Sequence, residues 1–133
     1  MYLSELSSKQ KELFLDICVS LSKTDNNFAE EEKRVIQSLC EEMNIEPKYE
    51  TEKASADSLC EISAISTERE KRIIFIELLG IVMADKKIAT EEESFMNYVL
   101  DIFKINRSQL KVAVDLVNEL YDVYEKFANF LDR

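Results

Sequence analysis

Residues 73–84 read IIFIELLGIVMA, an apolar run that only Glu77 and Gly80 interrupt. A helix that is apolar on every face is a buried helix, so this segment should form the centre of a helical bundle. The run is too short to cross a bilayer. We expect Gly80 to mark a close crossing of two helices. We expect Glu77 to be partly exposed or salt-bridged, because unpaired charges are rarely buried.

Outside this run, apolar residues recur at steps of three and four, which is typical of amphipathic helices. Three stripes follow this spacing: Leu6, Leu13, Phe14, Ile17, Cys18 and Leu21; Val35, Ile36, Leu39, Cys40 and Met43; Phe95, Met96, Val99, Leu100 and Phe103. Thr67 with Glu70 and Thr90 with Glu93 predict capping boxes, and Pro47 should open a helix. With no alternating strand pattern, the predicted fold class is all-α.

The composition excludes most enzyme classes. The 133 residues include one glycine, one proline and no histidine. Phosphate- and dinucleotide-binding loops need glycine, whereas Ser-His couples, Cys-His couples and His-bearing zinc sites need imidazole. Carboxylate catalysis stays possible, but no pattern defines a substrate pocket. We expect a protein that is not an enzyme.

The charge restricts the partners. With 17 basic and 27 acidic residues the net charge is −10, which argues against nucleic acid and anionic membrane surfaces. No basic leader precedes an apolar run at the start of the sequence, so we expect a cytoplasmic protein that is not an integral membrane protein. Cys18, Cys40 and Cys60 sit among apolar neighbours and should be reduced, buried thiols.

A shift of sixty residues aligns two parts of the chain without a gap. The aligned pairs include Leu13/Ile73, Phe14/Ile74, Cys18/Leu78, Asp25/Asp85, Ala29/Ala89, Glu32/Glu92, Leu39/Val99 and Ile45/Ile105. Each part is a helix, a short acidic loop and a second helix. We therefore predict a compact bundle of six or seven helices in which the two repeats are related by an approximate two-fold axis.

The predicted organisation is one domain over residues 1–133. Its parts are a first repeat at about 6–46, short connecting helices at 47–65, a second repeat at about 67–106 and a C-terminal helix at 107–131.

The two loops carry a family resemblance. Residues 25–32 read DNNFAEEE and residues 85–92 read DKKIATEE, each with Asp followed by Glu seven positions later. They resemble the acidic loops of the TerB-like helical domains (tellurite-resistance and DjlA N-terminal-like), although Asn26 and Lys86 replace the usual glycine. The resemblance implies a non-enzymatic stress-response domain. It also implies a metal site in which the two Asp–Glu pairs converge: Asp25, Glu32, Asp85 and Glu92.

Oxygen ligands of this kind would select Ca²⁺ or Mg²⁺ over Zn²⁺. The same carboxylates could instead complement helix dipoles and close the loops through backbone hydrogen bonds. The alternative function is then a structural, dimerisation or adaptor module without a metal site.

Two apolar seams run along the predicted helix 107–131. The first, here called the tyrosine seam, is Leu110, Val114, Val117, Tyr121, Tyr124, Ala128 and Leu131. The second, the leucine seam, is Ala113, Leu116, Leu120, Val123, Phe127 and Phe130. Either both belong to one wide core face, or one seam meets a protein partner or a second copy. We expect Leu116, Leu120, Val123 and Phe127 of the leucine seam to pack in the core, leaving Tyr121, Tyr124 and Leu131 to bind the partner.

Overall fold

A computed structural model describes residues 1–22, 30–84 and 90–133; for residues 22, 31 and 90–92 it describes the backbone alone. The helices are α1 Ser8–Ser22, α2 Glu30–Met43, α3 Ser55–Ala64, α4 Glu68–Ala84, α5 Thr90–Phe103 and α6 Arg107–Leu131, after a 3-10 turn at Leu3–Glu5. No strand occurs in the described ranges, so the all-α prediction is confirmed. None of the described helices has the length and apolar composition that a bilayer span requires.

The chain folds as two compact units, Met1–Glu77 and Leu78–Arg133, and the boundary falls inside α4. In the first unit, α1 packs against α2 and α3. The apolar stripe predicted on α1 forms the core of this unit, because Leu13, Phe14 and Ile17 are almost completely buried. Burial of such a side chain contributes roughly 1.5–3 kcal/mol, so this stripe holds α1 in place.

The apolar run 73–84 lies within α4, and half of its twelve residues are buried, in line with the prediction that this helix is buried. Its buried side chains are Ile73, Ile74, Phe75, Leu78, Leu79 and Val82. Glu77 is salt-bridged, as expected, because its carboxylate lies 2.7 Å from the N-terminal ammonium of Met1. In the second unit, α5 buries Phe95, Met96, Val99 and Phe103, whereas α6 buries Ala113 and Val117.

A capping box opens α4, as the sequence predicts. The Glu70 carboxylate accepts from the Thr67 backbone N–H at 2.8 Å, and the Thr67 hydroxyl accepts from the Glu70 N–H at 3.2 Å. The first of these bonds lowers the pKa of Glu70. Ser7 and Gln10 open α1 in the same way, with distances of 2.7 and 3.2 Å. The predicted box at Thr90 involves a side chain outside the described set.

The ends of α2 and α5 have the same geometry. Asn44 and Lys104, sixty positions apart, both take a left-handed conformation with φ of 56°. One residue later, the N–H of Ile45 donates to Cys40 and the N–H of Ile105 donates to Leu100, each at 3.0 Å. Both helices therefore end in a Schellman-type cap, in which a left-handed residue stops the helix and satisfies a terminal carbonyl.

Gly80 does not mark a close crossing of two helix backbones. Among the described residues, a Cβ placed on Gly80 would meet only the Tyr121 hydroxyl, at 3.7 Å, which is an ordinary contact. Its carbonyl instead accepts a 2.6 Å hydrogen bond from that hydroxyl. The expectation of a close crossing was wrong because the glycine lies opposite the tip of a long side chain.

Candidate functional site

The four predicted metal ligands lie mostly outside the described residues. Asp25 and Asp85 fall in the ranges 23–29 and 85–89, and the side chain of Glu92 is also outside the described set. Glu32 is half-buried in the first turn of α2, where a carboxylate complements the positive end of the helix dipole. The described side chains contain no group of three or more acidic, cysteine or histidine residues that could hold a metal.

The tyrosine seam of α6 is partly buried in the first half of the helix, and one of its residues is bonded to α4. Val117 in this seam is buried and Tyr121 is half-buried, and Ala113, the first residue of the leucine seam, is buried beside them. The Tyr121 hydroxyl donates to the Gly80 carbonyl at 2.6 Å. A buried tyrosine needs such a partner for its hydroxyl, and here the backbone of α4 supplies it. This face of α6 therefore points towards α4.

The leucine seam beyond Ala113 is largely exposed, so the prediction that Leu116, Val123 and Phe127 pack in the core was wrong. Leu116 is 55% exposed, Val123 45% and Phe127 62%. The reason is the rotation of α6: once Tyr121 faces α4 and Val117 is buried, residues about 100° around the helix must face away. Leu120, at the border between the two faces, is half-buried.

Beyond Tyr121, every residue of α6 is exposed on both seams. Tyr124 is 55% exposed and Leu131 75%, so two of the three predicted partner-binding residues are accessible, whereas Tyr121 is engaged with α4. We call the exposed apolar row of this helix the α6 stripe: Val112, Leu116, Val123, Phe127 and Phe130. At 100° per residue these five positions lie within a sector about 60° wide.

A second notable group surrounds Asp16, which the sequence analysis did not single out. Asp16 is only 7% exposed, forms an ion pair with Lys48, and accepts a 2.9 Å hydrogen bond from the Thr51 hydroxyl. These groups line an open depression of about 530 Å³ with Glu50, Glu52 and Lys53. A sequence signal existed: Asp16 is a charged residue inside the apolar stretch of α1.

The Asp16 group corrects the prediction for Pro47. Residues 45–54 are not helical, and α3 begins only at Ser55. Contacts from Lys48 and Thr51 to one buried carboxylate hold this segment against α1. Proline tolerates the first position of a helix without requiring one, so the tertiary contacts decide the conformation.

The cysteines carry no disulfide. Cys18 and Cys40 are buried as predicted, but Cys60 is exposed, so the prediction of three buried thiols was wrong for Cys60. Burial raises the pKa of the Cys18 and Cys40 thiols above the ordinary value. Because the thiolate is the reactive form, neither buried thiol has the character of a nucleophile.

No family model, curated protein or solved structure matches this chain. The TerB-like resemblance therefore depends on the two acidic segments and their flanking helices.

We expect Asp16→Ala to lower the free energy of unfolding by about 1–3 kcal/mol, because it removes a buried acceptor of two polar contacts. The matched control is Asp115→Ala, which removes the exposed pair with Lys111 on α6 and should cost about 0.5 kcal/mol or less. Urea unfolding of both variants provides the measurement. Equal costs would show that the Asp16 contacts do not hold the 45–54 segment.

Proposed function

We propose that this chain is a non-enzymatic, TerB-like helical domain whose role is binding. It associates with another protein chain through α6, and it binds a divalent cation through its two acidic loops. The stress-response role follows from the resemblance, and the cytoplasm suits a chain whose cysteines carry no disulfide.

The exposed end of α6 is the observation that carries the interaction role. Isolated single apolar residues on a surface are ordinary, but a contiguous apolar row marks an interaction site. The α6 stripe continues over turns that no other described element covers, and Phe130 at its far end is 76% exposed. An isolated helix of a few turns is marginal in water, so a partner on this face would stabilise it.

The depression at Asp16 supports a structural role better than a catalytic one. The Asp16 carboxylate is already bound by Lys48 and Thr51. Lys53, on the rim, is paired with Glu61 at 2.7 Å. A substrate pocket is normally concave and mostly apolar, with a few convergent polar groups, whereas this open depression is lined by charged and hydroxyl side chains.

The interaction role predicts that α6 carries the association of the full chain. We expect the double variant Phe127→Asp with Phe130→Asp to lose all binding that the wild-type chain shows, whether to another protein or to a second copy. The physical reason is that a charged side chain cannot be buried unpaired in an apolar contact. The matched control places two charges on the polar face of the same helix, as Asn118→Asp with Asn129→Asp. Capture on immobilised protein, with circular dichroism to verify folding, provides the measurement. Equal capture by wild type and stripe variant would contradict the role.

The cation role is favoured by the correspondence between the two parts of the chain. α2 spans residues 30–43 and α5 spans residues 90–103, so both bounds differ by sixty. The caps at Asn44 and Lys104 differ by sixty as well. We infer two copies of one helix–loop–helix unit, in which Glu32 and Glu92 occupy the same place in the first turn. An approximate two-fold relation between the copies remains a prediction of this duplication.

The cation role predicts metal-dependent stability. At a concentration about 100 times its dissociation constant, Ca²⁺ or Mg²⁺ should add roughly 2.7 kcal/mol to the free energy of unfolding, because it binds the folded chain alone. Asp25→Asn with Glu92→Gln should abolish this gain, whereas Asp115→Asn with Glu125→Gln, an equal charge change on α6, should retain it. Thermal melts with chelator and with Ca²⁺, Mg²⁺, Mn²⁺ and Zn²⁺ test both statements. Unchanged melting in all four metals would leave the acidic residues with their capping role.

A further inference from the structure

We propose that the partner of the α6 stripe is a second copy of this chain, whose α6 packs antiparallel to the first. The inference rests on the proposed interaction role of α6 and specifies its partner. Three observations carry it: the spacing of the apolar residues, the charges along one edge of the stripe, and the distribution of charge over the whole chain.

The apolar spacing is that of a two-helix seam. Leu116, Leu120, Val123, Phe127 and Phe130 follow one another at steps of four, three, four and three residues. This is the heptad spacing with which one helix packs along another over several turns. All five except the half-buried Leu120 are exposed, so the seam is presented to a partner.

The two edges of the seam differ in chemistry. Glu119 and Lys126 lie on one edge, seven residues or about two turns apart, and both are exposed. Neither forms an ion pair with another described residue. Tyr124 and Leu131 lie on the opposite edge and are also exposed. One edge therefore offers two opposite charges, and the other offers apolar surface.

These edges are complementary to themselves in one orientation. Two antiparallel copies of a helix are related by a two-fold axis perpendicular to both helices. Each edge of one helix therefore faces the same edge of the other copy. Glu119 then faces Lys126 of the second copy, and the same pair forms again by symmetry. A parallel arrangement would place the charged edge against Tyr124 and Leu131, and both ion pairs would be lost.

The same register places large and small apolar residues opposite each other. When Glu119 faces Lys126 of the second copy, Leu116 lies opposite Phe127 of that copy, and Leu120 lies opposite Val123. Alternation of this kind lets side chains interdigitate without voids. The apolar layers and the ion pairs therefore favour one register.

The overall charge favours α6 as the place where two copies meet. The chain carries a net charge of −10, but residues 104–133 contain five acidic and five basic residues. The net negative charge thus lies outside this segment. Two copies that approach through α6 therefore bring together segments without net charge and with complementary edges, and their contact is not opposed by a net charge on the helix itself.

The test is the mass of the full-length chain in solution, measured by sedimentation velocity from micromolar to submillimolar concentrations. The wild type should shift with concentration from the 15.5 kDa chain to twice that mass. Glu119→Lys and Lys126→Glu, each alone, should raise the dissociation constant of the dimer about tenfold or more at low salt, because two attractive pairs become repulsive. Glu125→Lys, the same charge change on the polar face, should leave the dimer unchanged.

Combining the two charge reversals distinguishes the antiparallel dimer from other modes of dimerisation, because only the antiparallel arrangement places residue 119 opposite residue 126. The double variant Glu119→Lys with Lys126→Glu should dimerise as tightly as the wild type, and an equimolar mixture of the two single variants should associate more tightly than either variant does alone. A monomeric wild type at all concentrations would overturn the proposal, as would single variants that dimerise as tightly as the wild type or a double variant that dimerises no better than they do. If the wild type is monomeric but the stripe still captures another protein, the interaction role of α6 stands and the second copy is excluded as its partner.

Discussion

The hydrogen bond from the Tyr121 hydroxyl to the Gly80 carbonyl defines which side of α6 meets its own unit. At 2.6 Å it joins the middle of α6 to α4, and the buried Ala113 and Val117 lie on the same side of the helix. One hydrogen bond and two buried side chains on one side of a helix define how that helix is oriented about its axis. The α6 stripe is therefore left in solvent, and every inference about association follows from that orientation.

Local patterns were sufficient to predict every helix except α3, which begins at Ser55 rather than at Pro47. Stripes at steps of three and four mark α1, α2 and α5, and the Thr67–Glu70 box marks the start of α4, because hydrogen bonds within a few residues determine these features. The choice between the two seams of α6 was not local. Both seams are apolar, and the bond that separates them joins residues 41 positions apart. The predicted helix start at Pro47 was wrong for the same reason. Asp16, distant in the sequence, binds Lys48 and Thr51, and the segment that contains Pro47 is not helical.

The candidate sites differ in how far they can be predicted from the sequence alone. The acidic loops are conspicuous as residue types, and their resemblance to TerB-like loops is a statement about sequence. The α6 stripe consists of residues that an internal core would also use, and only their exposure distinguishes the two cases. Asp16 shows a further situation, in which a buried charge is explained by its hydroxyl and ammonium partners rather than by catalysis. Candidate metal ligands are thus easier to find in a sequence than interaction surfaces.

The most direct test of this account is the accessibility of two adjacent positions on α6, Leu116 and Val117. Each is replaced by cysteine in a Cys60→Ser background, and the rate of thiol labelling is measured in dilute native protein, with labelling in urea as the reference. The account predicts that Leu116→Cys reacts about tenfold faster or more, because a buried thiol reacts only when the structure opens locally. Faster labelling of Val117→Cys would show that the leucine seam faces the core and would contradict the account.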